Sequence, residues 1–367
     1  MEGDLIHINS WLRPLSWLYE LGVRMRNACF NTGILKETSF DLPVICIGNI
    51  TVGGTGKTPH TEMLLRFLLP HHRVAVLSRG YKRKSRGFHL ATKQSSMHDI
   101  GDEPWQIKQK FPDAIVAVDA NRRHGIHCLL ENEATKNVDV ILLDDAYQHR
   151  YVKAGLNILL TDYHRLITDD EMLPAGRLRE PLIAKERAHI VIVTKCPAKM
   201  TPMDFRVVQE ALALKPYQKL FFSTFLYGKL YRLFGESPGQ AEELTADTHV
   251  LLLTGIALPQ QMMMDLRRIT RHITPLSFAD HHEFTSHDLQ IIEEAFTAMQ
   301  GNKRLIVTTE KDAARLRLVQ GLSTIVRRHI YVLPIEISIL RGEQSLFEET
   351  IQDFVNHHTL SSNGTRV

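Results

Sequence analysis

The segment VICIGNITVGGTGKTPHTEMLLRFLL, positions 44 to 69, constrains this chain most. Its short, unbroken apolar opening reads as a strand buried on both faces, and its end reads as a helix with apolar periodicity. Between them stand three glycines and Lys-Thr. This order of strand, glycine loop, Lys-Thr and helix fits a phosphate-binding P-loop. Gly53, Gly54 and Gly56 let backbone N–H groups approach phosphate oxygens, and the helix N-terminus adds a favourable dipole. Lys57 supplies positive charge and Thr58 a hydroxyl for Mg²⁺. Thr51, Val52, Gly53, Gly54, Thr55, Gly56, Lys57 and Thr58 are therefore expected to hold the phosphates of ATP. The usual pattern has glycine where this chain has Thr51. A β-branched residue tolerates positive φ poorly, so the loop entry must keep an ordinary backbone conformation.

Similar apolar runs recur at 73–80, 114–119, 139–145, 156–162 and 189–195, separated by helical stretches, which predicts a parallel sheet covered by helices. The run VDVILLDDAYQH delivers Asp144 and Asp145 at the carboxyl end of a strand, where open α/β sheets bind ligands. One carboxylate can hold Mg²⁺ while its neighbour points elsewhere, because side chains alternate along a strand. The stretches 220–234 and 329–340 are extended and bracket a second α/β block with strand-like runs at 249–257, 272–278 and 304–312. The expected fold is α/β: a P-loop NTPase-type domain with a mainly parallel sheet, plus a smaller α/β domain joined by a two-stranded β linker. The parts are an N-terminal helix (1–35), the nucleotide domain (36–219), the linker (220–234 and 329–340), the smaller domain (235–328) and a C-terminal helix and tail (341–367).

Residues 11–35 read as a helix in which Trp and Leu are interspersed with Arg13, Arg24 and Arg26. It either packs its apolar side on its own domain or lies in a membrane interface, where such a mixture suits the headgroup boundary. A formal charge of +3 in 367 residues gives no basis for nucleic-acid binding. The four cysteines are widely spaced without C-x-x-C, which argues against a zinc site or disulfide framework and fits a reducing cytoplasm. No run approaches the length needed to span a bilayer, and no signal-peptide pattern opens the chain.

Taken in order, GNITVGGTGKTP, SRGYKRKS, GDEP, DDAYQH, LPAGRLREP, TGIALP, FADHH and TTEKDAARL resemble the bacterial tetraacyldisaccharide 4'-kinase family of lipid A biosynthesis. The resemblance implies phosphorylation of the 4'-hydroxyl of an acylated glucosamine disaccharide 1-phosphate, with ATP and Mg²⁺, at the inner face of the cytoplasmic membrane. It places a catalytic Asp at Asp102 and a His at His281, with His282 as the rival. A carboxylate that fixes the imidazole tautomer makes His a better base toward a hydroxyl. Glu103 is expected to help order Mg²⁺. Arg79, Tyr81, Arg122 or Arg123, and Arg179 with Glu180 suit phosphate or acceptor binding, and Gln148 and His149 are expected to face the same pocket. Two other functions remain open on the residues alone. A switch or partitioning ATPase often carries lysine where this chain has Val52, and a guanine-reading N-K-x-D is absent. A kinase for a soluble sugar would make the N-terminal helix merely structural.

Overall fold

A computed structural model describes residues 8–235, 242–256, 260–279 and 282–363, with only the backbone for residue 261 and residues 359–363. The chain divides into two compact units, residues 1–225 with 337–367 and residues 226–336.

The first unit begins with helix α1 (Arg13–Asn31), β1 (Val44–Gly48), α2 (Lys57–Leu68), β2 (Val74–Ser78) and the short β3 (His89–Leu90). It continues through α3 (Met97–Ile100), α4 (Asp102–Lys110), β4 (Ile115–Val118), α5 (Arg122–Glu131) and β5 (Val140–Asp144). Next come β6 (Leu156–Asp162), β7 (Ile190–Thr194), α6 (Pro202–Leu212) and β8 (Lys219–Tyr227). All six apolar runs read from the sequence are strands here. β1, β2, β5 and β7 are buried at every position, which is why their sequences lack alternation.

The second unit contains β9 (Tyr231–Arg232), β10 (Thr248–Thr254), α7 (Gln260–Leu266), β11 (Ile273–Ser277), α8 (Ser286–Ala298), β12 (Lys303–Thr309), α9 (Glu310–Leu316), α10 (Thr324–His329) and β13 (Ile330–Leu333). The chain then returns through β14 (Ile335–Ile339) and α11 (Gln344–Asn363). Among the described residues the larger sheet has the order β14-β8-β7-β6-β1-β5-β2-β4-β3 and the smaller β11-β10-β12-β13-β9. The two stretches expected as the linker are where the chain passes between the units. β8 and β14 are hydrogen-bonded neighbours in the larger sheet, whereas β9 and β13 pair antiparallel in the smaller.

β1 pairs in parallel with both β5 and β6, and Ile47 lies opposite Asp144. Later strands are added on both sides of β1, so the loops after β1 and β5 open onto a crevice at a topological switch point.

Helix α1 is attached along one side by polar and apolar residues: Arg13 pairs with Glu171 at 2.6 Å, the Ser16 hydroxyl accepts from Ala175 N at 2.9 Å, Tyr19 Oη donates to Arg179 O at 3.2 Å, and Val23 packs against the core. Phe30 is buried, but Trp17, Leu18 and Met25 are 67%, 68% and 62% exposed, with Trp11 just before the helix at 79%. No helix of the described residues is long and apolar enough to cross a membrane.

Candidate active site

The P-loop is held at its entrance by another part of the chain. Val52 N donates to Arg177 O at 2.8 Å and Arg179 N to Ile50 O at 2.7 Å, with Thr51 and Leu178 bridged antiparallel. Thr51 keeps a negative φ, as its β-branched side chain requires. Asn49 Nδ2 donates to Thr51 Oγ1 at 3.2 Å and Thr55 Oγ1 at 2.9 Å, so a buried amide crosses beneath the loop. Gly56 caps α2 with φ +85°, a left-handed conformation that glycine adopts without penalty. Around Gly53 and Gly54 nothing lies within 4 Å of where a Cβ would project, which leaves open space over the loop.

Lys57 Nζ lies 3.6 Å from Asp145 Oδ1, and Arg179 Nη1 lies 3.7 Å from Asp145 Oδ2. The adjacent Asp144 is buried and accepts from Thr61 Oγ1 at 3.2 Å. Burial, with Glu103 and Asp145 nearby, pushes its carboxyl up to about 7. Asp144 Oδ2 and Asp145 Oδ1 have no hydrogen-bond partner among the described residues. Buried carboxylate oxygens left without donors suit a cation. Thr58, Asp144 and Asp145 therefore fit Mg²⁺ chemically, and the open glycine loop fits a phosphate chain.

Three consecutive buried residues of α2 anchor this loop. His60 contacts Gly56 O and Ser223 Oγ, Thr61 reaches Asp144, and Glu62 accepts from Gln106 at 2.9 Å and Lys110 at 2.7 Å. The Glu62 contacts fix α4 against α2, and α4 opens with Asp102 and Glu103, both half-buried. Burial lowers the His60 imidazole to about 4. Asn49 was legible within GNITVGGTGKTP, although its crossing role was not, and nothing in the sequence marked the His-Thr-Glu triplet.

The remaining candidates fall into two groups. Arg79 and Tyr81 are exposed and Arg179 is half-buried beside Asp145. Arg122, by contrast, is buried and gives its guanidinium to carbonyls, at 3.0 Å to Asp119 O and 3.4 Å each to Asp144 O and Asp145 O. Gln148 Nε2 donates to Asn49 O, and Arg26 reaches Gln148 O. Glu180 is fully buried against Arg187, which also lies 4.8 Å over the Tyr147 ring. Burial and the positive charges of Arg122, Arg26 and Arg79 lower the His149 imidazole to about 4.

His281 lies outside the described residues. His282 Nε2 contacts Asp288 Oδ2 at 3.0 Å, while that carboxylate also accepts from Thr285 N at 2.7 Å in the capping box of α8. Its ring stacks on Phe278 at 4.8 Å.

A phosphate-binding loop after β1, a carboxylate pair after the neighbouring β5 and an open space between them define a P-loop nucleotide-binding protein of the α/β class. The model of the family described as tetraacyldisaccharide-1-P 4'-kinase matches residues 8–356. The chain belongs to that family. It is 54% identical over 366 residues to the tetraacyldisaccharide 4'-kinase of Phocaeicola vulgatus, covering 99% of this chain and 100% of that one. Identity to the Bacteroides fragilis protein of the same name is 52% over 363 residues, with 98% and 96% covered. The crystal structure of LpxK from Aquifex aeolicus in complex with ATP superposes with a TM-score of 0.70 at 28% identity, covering 95% of this chain and 99% of that one.

Proposed function

We propose that this chain is an ATP-dependent kinase that transfers the terminal phosphate to the 4'-hydroxyl of tetraacyldisaccharide 1-phosphate in lipid A biosynthesis. The observation that carries the reading is Lys57 set 3.6 Å from Asp145 at the joined ends of β1 and β5, beneath glycines with open space above them. The family to which the chain belongs names the acceptor.

Phosphoryl transfer depends on positioning and charge neutralisation more than on covalent chemistry by the protein. The amides of Gly53, Gly54 and Gly56 and the Lys57 ammonium hold the phosphates, whereas the Val52 N–H, expected from the sequence to do so, is taken by Arg177 O. Thr58, Asp144 and Asp145, with Glu103, would hold Mg²⁺, which when bound would supply neutralising positive charge. Arg79 and Arg179, with Tyr81, face the acceptor phosphate or the transferring group. Arg122, Gln148 and Glu180 act from behind, through the backbone and side chains that they brace, and His149 remains a candidate for the acceptor pocket. Asp102 and His281, the pair that the family resemblance implies, are the candidates for taking the proton of the acceptor hydroxyl. His282, whose Nε2 contacts Asp288, is the rival for that role.

The acceptor is tested with labelled ATP, Mg²⁺ and either a lipid A precursor in detergent or simple hexosamines. Label in the lipid alone is expected; label only in the soluble sugars would defeat the lipid reading, and hydrolysis without an acceptor would favour a switch ATPase. Asp102→Ala and His281→Ala should each lower turnover by about 10²-fold or more while leaving ATP binding intact. Near-normal turnover in both removes the dyad.

The exposed apolar side of α1 supports peripheral association with the cytoplasmic face of the inner membrane. Trp17→Glu with Leu18→Glu should weaken sedimentation with anionic liposomes without altering labelling of a soluble short-chain acceptor. Unchanged sedimentation rejects α1 as the contact.

A further inference from the structure

The His60 side chain is almost fully buried at the base of the P-loop, yet none of the roles assigned above uses it. Its two ring nitrogens face different groups. Nδ1 lies 2.7 Å from the Gly56 carbonyl and Nε2 lies 2.9 Å from Ser223 Oγ on β8. A carbonyl can only accept, so Nδ1 carries the hydrogen; Nε2 is then the acceptor and the Ser223 hydroxyl donates to it. The alternative acceptor for that hydroxyl, Val193 O, is farther away at 3.4 Å. The reverse tautomer would set the Nδ1 lone pair against the Gly56 oxygen.

The Gly56 carbonyl thus receives two donors from one residue, because His60 N also donates to it at 3.2 Å in the first turn of α2. In a planar trans peptide the C=O and the following N–H point in opposite directions. Fixing Gly56 O toward His60 therefore aims Lys57 N–H out of the helix N-terminus, toward the phosphate site. His60 Nδ1 and Phe225 Cζ each lie 3.5 Å from where a Gly56 Cβ would stand, in van der Waals contact with that position. Ser223 itself is completely buried, and Phe225 is the last residue of β8 within the first unit.

We propose that His60 is a positioning residue for the nucleotide, holding the Gly56–Lys57 peptide in its phosphate-facing orientation and tying it through Ser223 to β8. The inference rests on the reading of the Lys57 loop as the ATP phosphate site. It concerns a residue that never touches the phosphate. Asn places an amide nitrogen where the His Nδ1 stands, so it keeps the Gly56 contact and loses the Ser223 contact.

The test measures binding of a fluorescent ATP analogue, together with KM for ATP and kcat, in full-length wild type, His60→Leu, His60→Asn and Ser223→Ala. All four are checked for folding by thermal melting. His60→Leu should weaken analogue binding and raise KM roughly fivefold, the loss expected for one hydrogen bond, with kcat changed less than about twofold. His60→Asn should restore most of that loss, and Ser223→Ala should fall between. A merely structural His60 would lower the melting temperature of all three variants and leave KM alone, which overturns the proposal. So does His60→Asn matching His60→Leu in KM. Wild type that fails to bind the analogue would instead strike at the nucleotide-site reading, so the two failures are distinguishable.

Discussion

The two sheets of this molecule solve the same structural problem in opposite ways. Each places a crevice at the carboxyl ends of parallel strands, where the order of strand addition reverses. In the larger sheet the crevice is left open: Gly53 and Gly54 face empty space, and Asp144 Oδ2 and Asp145 Oδ1 lack hydrogen bonds among the described residues. In the smaller sheet the loops after β10 and β12 are joined by their own side chains. Asp312 accepts from Gly255 N at 2.9 Å and Thr309 Oγ1 at 2.7 Å, and Arg315 Nη1 reaches Asp312 Oδ1 at 3.1 Å and Gly255 O at 3.3 Å. A carboxylate with both oxygens hydrogen-bonded closes a loop, whereas one that keeps an oxygen without a hydrogen bond can take a cation. Fold alone therefore does not assign a ligand site; the satisfaction of its polar atoms does.

This contrast can be broken by substitution. The largest effect is expected for Asp312→Ala, which removes one member of the buried Asp312–Arg315 pair and should cost about 3–5 kcal/mol of local stability. Hydrogen exchange should show lost protection in β10 and β12, while the first unit keeps its affinity for an ATP analogue. Lys57→Ala should do the reverse, lowering turnover by about 10²–10³-fold with the melting temperature almost unchanged.

A sharper comparison uses one added methyl group in each crevice. At Gly255 a Cβ would stand 2.9 Å from Asp312 Oδ1, so Gly255→Ala should destabilise by about 1–3 kcal/mol. Gly54→Ala meets nothing within 4 Å and should change stability by less than about 0.5 kcal/mol. The same methyl should still weaken nucleotide binding, since it projects where phosphate oxygens would approach. Equal thermal shifts in the two variants would erase the distinction drawn between the sheets.

The smallest effect is in pH. His60 and His149 are held near 4 in the fold, below the unfolded value near 6.5. Between these values the unfolded chain binds more protons, so stability contributed above the unfolded value is lost as pH falls toward 4. Asp144 works with the opposite sign, because its raised carboxyl favours the protonated fold as pH falls from about 7. Denaturant titrations should therefore show a steeper acid loss in Asp144→Asn than in wild type, and parallel profiles would refute the assignment.

The central strands were legible because a strand buried on both faces must be an unbroken apolar run, and few other arrangements of VICIGNI or VDVILLDD are possible. The P-loop was legible because its parts are consecutive. What the sequence concealed depends on pairs far apart in the chain. LPAGRLREP invited a phosphate-gripping role for Arg179, with Glu180 beside it at the acceptor. In the fold Arg179 reaches Asp145, the backbone of 177–179 holds the loop entry, and Glu180 disappears against Arg187. Arg122 likewise looked like an anion grip, but its guanidinium lies buried among carbonyls. For α1, periodicity identified the helix but could not tell which side is attached, because that choice lies with Glu171, Ala175 and Arg179.

The antiparallel bridge between Thr51 and Leu178 carries a consequence for recognition speed. Fixing one backbone residue costs roughly 1–2 kcal/mol of conformational entropy, and at Val52 and its neighbour that cost is borne when the chain folds. An arriving nucleotide meets a loop entry whose amides already have their directions. Encounter therefore need not wait for this stretch to find its shape, and little binding energy is diverted to ordering it.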